Sequence, residues 1–172
     1  MKAKVIGILV ALSVVTPLLA SRPDRAAKKA TEGRVRFAPV HIYLDSGDKP
    51  LAAYQFELVC SVPVRAYSPS EDNASRRHYE PRIKIVGVEG GEHPAFREAP
   101  YYDPAALMND RIIVAAFNTG TDLPHGRTRI ATIHLQILGD TEPQYELKLV
   151  TAADKDAERI PAELSLQTGE NQ

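Results

Sequence analysis

The chain has 172 residues, with 21 Lys and Arg against 22 Asp and Glu, one Cys and no Trp. A near-neutral balance without clustered positive charge argues against nucleic acid as a partner, because phosphates are held mainly by concentrated Lys and Arg. A single cysteine leaves no intramolecular disulfide, so stability must come from an ordinary apolar core, which a chain of this length can build as one domain.

In chain order, residues 1–20 come first, where Lys2 and Lys4 precede the uncharged run VIGILVALSVVTPLLA. This is the pattern of a secretory signal peptide. The run is shorter than the roughly 20 residues a helix needs to cross the hydrocarbon core, and Pro17 interrupts it near its end. Cleavage after Ala20 is expected, with export to the periplasm, the exterior or the cell envelope; retention of an uncleaved leader is the one route to the membrane. Residues 1–27 hold Lys2, Lys4, Arg22 and Arg25 against Asp24, so 17 basic and 21 acidic side chains remain after them, a net charge of about −4. Segment 21–33, SRPDRAAKKATEG, offers little to bury and reads as a flexible tether.

From residue 34 to 172 a single domain is expected, in which the apolar period becomes two. In RVRFAPVHIYLDSGD, Val35 and Phe37 point one way, Pro39 shifts the phase, and Val40, Ile42 and Leu44 resume an apolar face; a proline there suits an edge strand or a bulge. PLAAYQFELVCSV alternates most clearly, with Tyr54, Phe56, Leu58, Cys60 and Val62 on one face, so Cys60 is expected as a buried, inert thiol. Residues 63–81 read as a long polar loop or a short bridge and contain Asn73-Ala-Ser75, a formal glycosylation acceptor. RIKIVGVEGG returns to a strand that stops at paired glycines.

APYYDPAALMND follows, where Asp103 before Pro104 marks a helix start, with a helical turn expected near residues 104–109. RIIVAAFN is apolar through its middle, as expected of a central strand covered on both sides or packed beneath a loop. TRIATIHLQILGD alternates again, with Ala131, Ile133, Leu135 and Ile137 inward and Thr132, His134 and Gln136 facing water. YELKLV and RIPAELSLQ supply the last strands. Turn signals at this spacing, with no amphipathic helix after the leader, predict an all-β, two-sheet antiparallel β-sandwich.

Catalytic signatures are absent: there is no Gly-x-Ser-x-Gly elbow, no His-Glu-x-x-His pair and no phosphate-cradling glycine loop. His41, His78, His93, His125 and His134 are scattered, without metal-ligand spacing. No cofactor and no metal are therefore expected. Asp45 with Asp48 and Asp154 with Asp156 offer oxygen ligands that calcium could use, and turn-forming aspartates explain the same pairs. The candidate ligand residues are Tyr101 and Tyr102, one ring turned inward and the other offering its face to a sugar or a partner side chain.

HIYLDSGDKPLAAYQFELVC, KIVGVEGG and RIIVAAFNTGTDLPHGRTRIATIHLQILG, in this order, resemble cohesin-type domains of the β-sandwich superfold shared with cellulose-binding modules. The resemblance covers most of residues 35–150. It implies a jelly-roll sandwich serving as a non-catalytic scaffold or adhesion module, whose partner is an extracellular or envelope protein. No duplicated calcium loops of the dockerin kind occur in this chain, so that partner would be another molecule. A carbohydrate- or cell-wall-binding module using the Tyr101/Tyr102 loop is the alternative.

Overall fold

The computed structural model describes residues 34–62, 82–140 and 142–169. They form eight strands: β1 (Val35–Asp45), β2 (Ala53–Ser61), β3 (Ile83–Gly90), β4 (Tyr101–Tyr102), β5 (Arg111–Phe117), β6 (Arg127–Leu138), β7 (Gln144–Ala153) and β8 (Glu163–Thr168). Sheet A runs β3-β6-β1-β8 and sheet B runs β4-β5-β2-β7. Every ladder between them is antiparallel. The chain is thus the two-sheet antiparallel β-sandwich its alternation predicts. The leader, the tether and the 63–81 loop, with His78 and Asn73, lie outside the described residues.

Side-chain parity builds the core. Strand residues point alternately to the two faces, so Val40, Ile42 and Leu44 of β1 face Tyr54, Phe56, Leu58 and Cys60 of β2 across the layer, all buried. Ile133, Leu135 and Ile137 of β6 and Ile112 and Val114 of β5 complete the same cluster. The Tyr54 hydroxyl, buried with its ring, donates to the Ile130 carbonyl at 2.9 Å, which removes the cost of an unpaired polar group in the core. Cys60 is buried as expected. Burial, with the Asp110 carboxylate adding, pushes its thiol up to about 12.

Three local expectations are corrected. Pro39 shifts no phase: Ala38, Val40, Ile42 and Leu44 point inward without a break, and Phe37, 60% exposed, stands on the outer face. β1 is an interior strand, and Pro39 is tolerated because Gly169 N–H donates to its carbonyl just past the end of β8, so the missing proline N–H points to the side where the ladder has ended. β5 is covered on one side and not on both: Ile112 and Val114 face the core, whereas Ile113 and Phe117 are exposed. Thr132, expected to face water, is 2% exposed. An extra residue in β6, Ile130, bulges opposite the Ile42–Tyr43 step, so Arg129 and Thr132 share the outer face. There Arg129 Nη1 donates to Thr132 Oγ1 at 2.7 Å, and His41 Nδ1 lies 3.1 Å from the same oxygen. His134, on the same face, has its Nε2 3.0 Å from Glu89 Oε1, without the alignment of a hydrogen bond.

The connection from β3 to β4 closes one edge of the sandwich. Gly90 and Gly91 let the backbone pass where a Cβ would collide with the carbonyl oxygens of Arg97 and Arg129 respectively. A 3-10 turn at Pro94–Phe96 follows, capped by His93, whose Nδ1 accepts from Ala95 N–H. Phe96 then inserts edge-on against Tyr54, ring centroids 5.1 Å apart.

Candidate binding face

That closure delivers Tyr101 and Tyr102 to the edge of β5. The register Tyr101↔Ala115 and Tyr102↔Val114 decides which way each ring points. Tyr102 shares the parity of Val114 and packs, half-buried, against the core. Tyr101 shares the parity of Ala115 and stands on the outer face, 67% exposed. The two tyrosines are therefore a two-residue strand and not the lead-in to an α-helix.

Asp103 ends that strand as a cap. Its Oδ1 accepts from Ala105 N–H at 2.9 Å and its carbonyl from Ala106 N–H at 2.8 Å, which starts a 3-10 turn over Pro104–Ala106. The helical turn expected over 104–109 is this shorter one. Met108 at φ 68° reverses the chain. The next residues tie both sheets: Ile85 N–H donates to the Asn109 carbonyl and Cys60 N–H to that of Asp110. Between the turn and β5 lies a shallow groove lined by Tyr101, Tyr102, Asp103, Ala106, Arg111 and Ile113.

Tyr101 does not stand alone. Its ring lies 5.8 Å from that of Phe117 at an interplanar angle of 9°, and Phe117 is 63% exposed. Ile113, 40% exposed, continues this stripe along β5, and Val150, an extra residue in β7, adds an exposed apolar side chain near the opposite edge. Glu57 of β2 holds Arg111 of β5 through its Oε1 at 2.5 Å. The outer face of sheet B is thus an apolar stripe beside a charged pair. Of this stripe the sequence singles out Tyr101 alone. Phe117 and Ile113 escape notice there because β5 is uniformly apolar; parity counted from Ile112 and Val114 places both outward.

The other candidate groups serve structure. Asp45 Oδ1 accepts from Gly47 N–H at 2.9 Å, and Asp154 Oδ1 accepts from Asp156 N–H and Glu158 N–H at 2.9 and 3.0 Å, so these carboxylates lock their turns. Among the described residues no group of three His, Cys, Asp or Glu side chains stands close enough to hold a metal ion. No helix among them is long and apolar enough to cross a membrane. Fold and face define a small antiparallel β-sandwich with one partly apolar sheet surface. No family model, curated protein or solved structure compared with the chain matches it.

Proposed function

We propose that the protein is an exported, non-catalytic binding module, cohesin-like in character, that engages an extracellular or envelope protein through the outer face of sheet B. One observation carries this reading: of the large apolar side chains left exposed, Tyr101, Ile113, Phe117 and Val150 belong to that one face. Clustered exposed apolar area marks contact surfaces, whereas scattered single residues do not. The resemblance to cohesin-type domains supports a protein partner, and the lysine-led apolar leader supports a location outside the cytoplasm. The test is capture from the native envelope fraction with the unaltered chain, with Tyr101→Ser/Phe117→Ser, and with Phe37→Ser on sheet A as control. Retention lost in the double variant and kept in the control is expected; equal capture by all three would overturn the assignment of the face.

The carbohydrate reading keeps one specific observation, the near-parallel Tyr101 and Phe117 rings beside a groove that offers Asp103 and Arg111. Retention of the unaltered protein on an insoluble glycan, lost on Tyr101→Ala, would make it the primary reading.

A further inference from the structure

The edge opposite the aromatic stripe points to a second copy of this chain. β7 is the outermost strand of sheet B beyond β2. Cys60 N–H points to β5, where it donates to the Asp110 carbonyl. Alternate residues of a strand direct their backbone groups to opposite sides, so Glu57 and Val59 bond toward β7, where their partners are Lys148 and Glu146. It follows that Tyr145, Leu147 and Leu149 turn their N–H and C=O groups to the open edge, where they meet no backbone partner among the described residues. Such an edge is a template for another strand.

The side chains specify which strand. We propose that two copies pair β7 against β7 about a two-fold axis at Leu147, joining their B sheets into one. Antiparallel pairing about that residue sets Leu147 opposite Leu147 and Tyr145 opposite Leu149, the residues whose backbone groups face the open edge. The same register sets Glu146 of each copy opposite Lys148 of the other. Both charges are exposed, and neither forms an ion pair among the described residues; Glu57, opposite Lys148 on β2, is held by Arg111. An isologous contact requires a self-complementary patch, and acid-one-out, base-one-out about an apolar centre is self-complementary in this one register. On the inner side Tyr145, Leu147, Leu149, Leu164 and Leu166 pack against the core yet stay half-exposed at the seam between β7 and β8. A second copy would cover part of that seam. The aromatic stripe lies at the far edge of sheet B, so the dimer presents two such stripes on a continuous sheet.

Sedimentation equilibrium of the full chain over a range of concentrations and salt tests this. A reversible dimer is expected that weakens with added salt. Lys148→Glu or Glu146→Lys alone should weaken it about tenfold or more, since two attractive cross-strand pairs become two repulsive ones. The double exchange Glu146→Lys/Lys148→Glu should restore it, with thermal unfolding of each variant establishing that all are folded. A monomer at every concentration, a double exchange that restores nothing, or a dimer lost in Tyr101→Ser/Phe117→Ser and indifferent to the charge exchanges would each overturn the proposal.

Discussion

Single residues carry more of this molecule than their exposure suggests. Thr132 sits on the outer face of sheet A yet receives Arg129 and contacts His41, so Thr132→Ala strips two neighbours of a shared oxygen. A loss of about 1 to 3 kcal/mol in urea unfolding is expected, the range for leaving a polar group unsatisfied. That approaches the about 2 to 5 kcal/mol expected for Leu135→Ala, which empties a core position. Alternation alone makes Thr132 nearly silent; the Ile130 bulge that brings Arg129 over it has no mark in the sequence. Asp103→Ala should cost about 0.5 to 2 kcal/mol by removing the turn cap, and should leave partner capture by the folded domain intact. The Cys60 thiol, raised from an ordinary 9.0 to about 12 by burial, resists ionisation while folded. It should therefore be inert to a thiol reagent at pH 8 and react when denaturant opens the sandwich.

Elements differ in how plainly they announce themselves. β2 and residues 131–137 of β6 alternate without interruption, so their inward faces are legible from the order of residues alone. β5 is the opposite case. Ile113, Ala115 and Phe117 are as apolar as Ile112 and Val114, and the period of two persists in space after it has vanished from the composition. β4 is hidden for another reason, because two residues become a strand only through the register they find on β5, which no local pattern encodes. The β3–β4 connection likewise depends on close backbone approach. Gly90→Ala places a methyl group against the Arg97 and Glu98 carbonyls, so a loss of about 1 to 3 kcal/mol is expected by analogy with overpacked sites. Thermal unfolding of that variant, with Gly47→Ala as a comparison at a site with open space but positive φ, separates collision from backbone strain.

For the whole molecule, pH acts through buried and half-buried acids whose neutral forms the fold prefers. Cys60 and Tyr145 are both raised to about 12 by burial, and Tyr54 is raised further by the same cause. Each stabilises the fold fully below its ordinary value, 9.0 for the thiol and 10.0 for the phenols, and that contribution disappears as pH climbs through the raised value. Unfolding free energy should be insensitive to these groups at neutral pH and decline from about pH 9 upward; a flat profile to pH 11 would show that they are more solvated than their packing implies. The strand order has its own consequence for how the chain comes into being. β1 lies between β6 and β8, so the first strand made is flanked by two of the last, and the His41–Thr132 contact bridges 91 positions. A nascent chain emerging from the ribosome holds most of the apolar residues of sheet A with nothing to pair them, and contacts of such separation form slowly. Ribosome-bound chains ending before β6 should remain open to protease while longer ones become resistant, and under the export proposed above that delay is the interval in which a translocation channel accepts the polypeptide as an unfolded thread.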